Sequence, residues 1–174
     1  MKRIYIYCLL TMLLTLTTAT AQNHYVYGSF GSEMNINDDF NNQNYTANVA
    51  FGYFLTINTA VEGEYTHGFQ NNFMKFNRIG LNILHEYGNG IENVAPFIRY
   101  GVGYKDYDIK GYDYFNINGI DFKLGVGLNC YLSDIVCIRL GLDLTNMIPF
   151  DSDYGSFEWK NTLLCPNIGL SFNF

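Results

Sequence analysis

Positive charge is scarce in this chain: 10 Lys+Arg stand against 16 Asp+Glu, the formal net charge is -6, and charged residues make up only 15% of the 174 positions. That balance excludes a basic nucleic-acid binder, because a phosphate backbone is held by clustered lysine and arginine. Beyond the N-terminal segment no stretch is apolar enough to cross a membrane as a helix. Proline is rare as well, at 3. In their place the chain has Tyr (15), Phe (14) and Gly (17), with aromatic residues at 17%. So many aromatics exclude a disordered chain, and the length suits one domain. A mean hydropathy near zero fits either an ordinary core under a wet surface or strict alternation along strands, and residue order decides between them.

The N-terminus reads as an export address. Lys2 and Arg3 form a positive n-region, Ile4 to Leu16 an apolar stretch, and Ala19-Thr20-Ala21 a small-x-small site, which predicts cleavage before Gln22. The apolar run falls short of the roughly 20 residues a spanning helix needs. Cys8 is no lipid-attachment site, since Tyr7 precedes it where a small residue is required. The expected mature chain is one domain, residues 22–174, with residues 1–21 removed as a signal peptide.

Alternation dominates the remainder. From Asn118 to Leu132 the even positions are Ile120, Phe122, Leu124, Val126, Leu128, Cys130 and Leu132, and the odd ones are Gly119, Asp121, Lys123, Gly125, Gly127 and Asn129. The next segment opposes Val136, Ile138, Leu140, Leu142 and Leu144 to Cys137, Arg139, Gly141, Asp143 and Thr145. The last opposes Leu164, Pro166, Ile168, Leu170, Phe172 and Phe174 to Cys165, Asn167, Gly169, Ser171 and Asn173. These runs match the roughly 9 to 11 residues of a membrane-spanning strand better than the five or six common in soluble sheets. Weaker versions over Tyr45 to Leu55, Thr59 to Phe69, Phe76 to Tyr87 and Pro96 to Lys105, with a first strand at His24 to Ser32, bring the expected count to eight.

The polar faces carry five acids, Glu62, Glu64, Glu86, Asp121 and Asp143, and five bases, Arg78, Arg99, Lys105, Lys123 and Arg139. Unpaired charges in a dry core would cost several kcal/mol each, roughly, whereas a closed barrel can set them against one another and against trapped water. The expected fold is therefore all-β, an eight-stranded antiparallel up-and-down transmembrane barrel with a balanced ion network inside and lipid outside, because closure satisfies every backbone group in hydrocarbon. A soluble lipocalin-like barrel would turn the bulky, uniform apolar face inward. Arg99, Asp121 and Arg139, on three successive strands, are expected to form one cluster.

Both termini then share an end with the short turns Leu55 to Asn58, Gly88 to Asn93 and Ser133 to Ile135. Glu33 to Asn44, Gly68 to Phe73, Asp106 to Tyr114 and Pro149 to Phe157 form the outer loops. Parity requires a three-residue turn or a bulge after Leu132. Pro166, on an apolar position of the closing strand, predicts a bulge. The acids left over, Glu33, Asp38, Asp39, Asp106, Asp108, Asp113, Asp151, Asp153 and Glu158, fall in or beside the outer loops and suit solubility, or an acidic surface for a partner or cation. Tyr87, Tyr104, Tyr112, Tyr114, Tyr154 and Trp159 fit interfacial girdles.

Pro96-Phe97-Ile98-Arg99-Tyr100-Gly101-Val102-Gly103-Tyr104 resembles a strand of the small outer-membrane β-barrels related to the transmembrane domain of outer membrane protein A. Gly125 to Asp134 followed by Ile138 to Asp143 resembles the next hairpin of that family, across what is essentially the whole mature chain. The resemblance implies an eight-stranded fold in the outer membrane of a Gram-negative-type bacterium, in contact with lipid and lipopolysaccharide, and functions ranging from structural anchor to adhesin to narrow pore. Terminal Phe174, with Phe172, Leu170 and Ile168 at alternate positions before it, resembles the signal read by the barrel-assembly machinery. With nothing after Phe174, the peptidoglycan-binding domain of two-domain members is expected to be absent.

Catalysis has little to stand on. Some small barrels modify lipid A, but His67 and His85 fall on the apolar face, neither has a serine at the His-x-Ser spacing such deacylases use, and His24 is almost at the mature terminus. Glu62 and Glu64, two residues apart on an inward face, are what any charged lumen strand produces. Gly101-x-Gly103 and Gly125-x-Gly127 lack the third glycine and helix of a nucleotide site. No two histidines stand at metal-ligand spacing, no cofactor is expected, and Cys130, Cys137 and Cys165 are expected as free thiols. The resulting expectation is a monomeric structural barrel whose outer loops meet any surface ligand. A narrow passive pore and a lipid A-modifying enzyme are the alternatives.

Overall fold

The computed structural model describes residues 23–36, 43–69, 74–88, 93–109, 116–150 and 162–174. Residues 1–22, on which the expected signal peptide and its cleavage site fall, half or more of each expected outer loop, and Tyr112, Tyr114, Tyr154 and Trp159 lie outside the described residues. Eight strands follow in chain order: β1 (His24–Asn35), β2 (Gln43–Thr56), β3 (Thr59–Gly68), β4 (Met74–Glu86), β5 (Val94–Ile109), β6 (Asn116–Tyr131), β7 (Val136–Pro149) and β8 (Leu163–Asn173). Each pairs antiparallel with its chain neighbours, and β1 pairs with β8 to close the barrel. Closure is fastened at the terminal end, where His24 N donates to Phe174 O at 3.2 Å and Phe174 N donates to His24 O at 2.9 Å.

The barrel's stagger is read by stepping between paired residues. From Tyr25 the path runs through Gly52, Glu62, Asn82, Gly101, Lys123, Thr145 and Leu163, and returns to β1 at Asn35. A return ten residues further along the strand gives eight tilted strands and a lumen that side chains can fill.

Turn chemistry matches the register. Between β2 and β3 the Thr56 hydroxyl accepts from Asn58 N at 3.3 Å and Thr59 N at 3.1 Å, and a register shift between Phe54 and Thr56 absorbs the odd residue. After β6, Leu132 N donates to Val136 O at 2.9 Å, so Ser133-Asp134-Ile135 form a three-residue turn, with Ser133 Oγ accepting from Val136 N at 3.1 Å. Pro166 does not bulge: it faces Leu142 in an unbroken β7 register. Its effect lies on the β1 side, where the ladder lapses between Gly31 and Met34 and resumes without slipping. A missing N–H interrupts pairing on one edge but need not add a residue.

Several strands outrun the lengths that alternation indicates. β1 continues through Glu33 and β5 through Asp106 and Asp108, residues assigned to outer loops from sequence. Polar residues there obscure the pattern, but the ladder pairs Glu33 with Asn44 and Asp108 with Lys75 and Asn116.

Large apolar side chains point outward. Ile79 is 65% exposed, Leu81 62% and Leu124 55%, with Val126, Leu140, Leu142, Ile168, Leu170 and Phe172 on the same outer surface. The inward positions are polar, but not uniformly: Tyr25, Tyr27, Phe76, Leu84 and Phe97 are fully buried beside the charges. Such an exterior suits hydrocarbon. In phosphatidylcholine vesicles, Leu124→Arg and Leu140→Arg should each lower the unfolding free energy by about 2 to 4 kcal/mol, as read by denaturant titration.

Candidate functional site

The lumen is the most chemically organised region described. Glu62, Glu64, Arg78, Glu86, Arg99, Lys105, Asp121, Lys123, Arg139 and Asp143 all lie inside it and all are buried. Strand alternation aims them inward, and slim neighbours make room: a methyl group added at Gly103 would stand 2.6 Å from Asp121 Oδ1, and one at Gly125 would collide with the Asp143 carboxylate.

At the terminal end Arg139 Nη1 donates to Glu62 Oε1 at 2.5 Å and Arg139 Nε to Asn129 Oδ1 at 3.0 Å. The Tyr25 hydroxyl donates to the same Glu62 oxygen at 2.6 Å. The guanidinium lies 4.5 Å from the Tyr27 ring, 5.2 Å from Tyr25 and 5.5 Å from Phe97, so aromatic faces share its charge. Glu86 accepts from Asn129 Nδ2 at 2.6 Å and from the Tyr131 hydroxyl at 2.7 Å. These aromatic and charged groups pack the lumen at the end that holds both termini.

Glu64 is the hub of the middle tier. It meets Arg78 at 2.6 Å, pairs with Lys123, and lies 3.6 Å from Arg99, while Asn82 Nδ2 donates to it at 3.0 Å. Arg99 Nη2 donates to Asp143 Oδ2 at 2.5 Å, and Asn167 supplies that oxygen with a second donor at 3.1 Å. Toward the loop end Arg78 Nε lies 2.8 Å from both oxygens of Asp121.

Two sequence expectations are corrected here. Arg99, Asp121 and Arg139 form no cluster: Asp121 pairs with Arg78, Arg99 with Asp143, and Arg139 with Glu62. The stagger separates them, since Asp121 stands opposite Gly103 and Met147, while Arg99 stands opposite Gly125 and Arg139 opposite Asn129. Glu33 is no loop residue: it is buried, accepts from Lys105 Nζ at 2.6 and 2.8 Å, and takes the Tyr107 hydroxyl at 2.9 Å. Continuing the inward parity of Ser29 and Gly31 locates it. With Glu33 counted, six acids face five bases in the described lumen, and Glu86 is the acid held by neutral donors.

A cavity of about 40 Å³ sits among Ser29, Asn48, Thr66, Lys123, Asp143 and Cys165. It is large enough for water and too small for a solute path. His67 and His85 face outward and bond to Asn77 and Thr59, each at 2.9 Å, on the opposite face of the wall from the buried carboxylates. Among the described residues no group of three or more His, Cys, Asp or Glu could hold a metal ion, and Cys130, Cys137 and Cys165 are free thiols.

These features define an eight-stranded closed up-and-down barrel with its polarity turned inside out. No sequence-family model matches the chain, and no curated protein matches it in sequence. Solved structures match in fold. Neisserial surface protein A aligns with a TM-score of 0.69 at 12% identity, covering 87% of this chain and 97% of that one. The N-terminal β-barrel domain of Pseudomonas aeruginosa OprF gives 0.64 at 17% identity, covering 88% and 98%. Ail, the attachment invasion locus protein of Yersinia pestis, gives 0.53 at 10% identity, covering 87% and 97%. Identities this low establish a shared fold.

Removing Asp121 leaves Arg78 with Glu64 as its remaining carboxylate and takes away the acceptors of its Nε, so Asp121→Ala should cost on the order of 1 to 3 kcal/mol. In a double-mutant cycle with Arg78→Ala part of that loss should return. The cycle of Asp121→Ala with Arg139→Ala should be additive within about 0.5 kcal/mol.

Proposed function

We propose that residues 22–174 are the mature form of a structural outer-membrane barrel, exported by the segment 1–21 and cut before Gln22, whose outer loops meet any surface ligand. The observation that carries this reading is the inverted polarity: an apolar exterior encloses a lumen in which each of the five buried cations lies within 4.0 Å of a carboxylate. Lipid and lipopolysaccharide are the partners that such an exterior calls for. The likeness in fold to Neisserial surface protein A and to the attachment invasion locus protein Ail supports the same reading. Ile168, Leu170, Phe172 and Phe174 supply an alternating apolar terminus for the barrel-assembly machinery, with Ile168, Leu170 and Phe172 exposed on the outer wall. The lumen residues act as a plug, a load the barrel carries to stay closed, and not as a catalytic set.

A narrow passive pore makes the opposite demand of the same residues. Purified barrel added to a planar bilayer should give no steady open channel, because Tyr25, Tyr27, Leu84, Phe97 and Arg139 fill the section at the terminal end. A stable single-channel current in the wild-type protein would instead assign the lumen to transport.

A further inference from the structure

The seam between β1 and β8 loses one hydrogen bond within the apolar wall. Ser32 stands opposite Pro166, since the ladder pairs Gly31 with Asn167 on one side and Met34 with Leu164 on the other. Bonding alternates along an antiparallel pair, and His24 exchanges both of its bonds with Phe174, so the even residues of β1 bond toward β8. The Ser32 carbonyl therefore points at the Pro166 nitrogen, which has no hydrogen to give, and the pairing lapses there. The Ser32 side chain adds a second polar group. Ser29 and Glu33 are buried in the lumen and Phe30 is 70% exposed, so alternation puts the Ser32 hydroxyl on the outer face. Among the described residues that hydroxyl has no hydrogen-bond partner.

The surroundings of this notch are apolar. Along β1 it lies between Phe30 and Met34, and across the seam Pro166 leads to Leu142 and Val126, both exposed on the outer wall. Beyond Met34 the exposed Ile36 carries the apolar set further toward the loop end. At about 3.3 Å per residue and a tilt of about 40°, Ser32 lies roughly 10 Å below Ile36 along the membrane normal, at the depth of acyl chains. A carbonyl without its N–H and a hydroxyl without a partner both carry the cost of an unmade hydrogen bond in hydrocarbon. One ligand hydroxyl serves both, donating to the carbonyl and accepting from the serine. The flanking outward residues, Phe30, Met34, Tyr45 and Pro166, are uncharged, which suits a neutral group and neither a phosphate nor an ammonium. Toward the midplane, Gly28 leaves a dent between Val49 and Leu170, where an added Cβ would meet nothing nearer than Asn48 O at 3.9 Å.

We propose that the Ser32–Pro166 notch binds the hydroxylated acyl chain of a membrane lipid. The chain hydroxyl donates to the Ser32 carbonyl and accepts from the Ser32 hydroxyl, and the hydrocarbon beyond it runs past Phe30 to the dent at Gly28. The proposal rests on the membrane reading above.

A tryptophan at Tyr45, the β2 neighbour of Ser32, reports on the lipid at the notch, and one at Leu124 on β6 serves as reference. With Trp159→Phe removing the single native tryptophan, Tyr45→Trp and Leu124→Trp would be folded separately into vesicles of brominated phosphatidylcholine. The competing lipid would be phosphatidylcholine with either 3-hydroxymyristoyl or myristoyl chains. The hydroxylated lipid should relieve quenching at Tyr45→Trp about three- to tenfold more effectively than its plain counterpart, the worth of one or two hydrogen bonds, and no more effectively at Leu124→Trp. Adding Ser32→Val and Pro166→Leu removes the hydroxyl, restores an N–H to the seam, and should abolish the preference. Equal competition by the two lipids at Tyr45→Trp, or a preference that survives the double replacement, would overturn the proposal while leaving the membrane reading intact. Bromine quenching at neither tryptophan, with the barrel folded, would overturn the membrane reading and the proposal with it.

Discussion

Glu64 sits fully inside the barrel with Arg78, Lys123 and Arg99 converging on it, and the rest of the structure is arranged to permit that convergence. A buried carboxylate costs several kcal/mol unless cations and donors satisfy it, roughly as much as the whole net stability of many domains. Its partners come from β4, β5 and β6, so pairing it requires those strands to stand in one register relative to β3. A slip of one residue would send Glu62 and Glu64 to the apolar exterior and Val61 and Tyr65 to the lumen. The charges therefore contribute to specifying one barrel as much as to its stability.

Closure limits what the lumen can do. Ten residues of stagger over eight strands leave an interior of side-chain width, and this chain fills it with Tyr25, Tyr27, Leu84 and Phe97 as well as ions. Arg139 belongs to both sets, paired with Glu62 and wrapped by three rings. Among the described residues the lumen keeps a chamber sized for water between Lys123 and Asp143. Under the proposed function, recognition of a partner falls to residues outside the lumen.

Alternation made the strand count, the antiparallel order and the inward residues legible, because on a barrel wall a period of two is a direct statement of facing. It was weakest where strands leave the apolar zone: beyond Ser32 only Met34 and Ile36 continue the apolar parity, and beyond Lys105 the order inverts, with Tyr107 inward between Asp106 and Asp108, so Glu33, Asp106 and Asp108 read as loop although backbone pairing continues. Pairing inside the lumen was not legible at all. Parity tells which residues share the interior but not their height, and height depends on stagger, which joins Asp121 to Arg78 on β4 and leaves the arginines of β5 and β7 to other acids. The inward aromatics were hidden for a related reason, since Tyr and Phe occur on both faces and composition cannot separate a ring in lipid from one over a guanidinium.

The central claim is that this sequence places its apolar surface outside and its charges within, so that only an apolar surround completes the fold. Comparing the electrophoretic mobility of unboiled and boiled protein, after folding residues 22–174 in buffer and in phosphatidylcholine vesicles, tests it directly. The account predicts a compact band of altered mobility that forms with vesicles, disappears on boiling and does not form in buffer alone. A monodisperse, cooperatively folding β-protein in lipid-free and detergent-free buffer would contradict it.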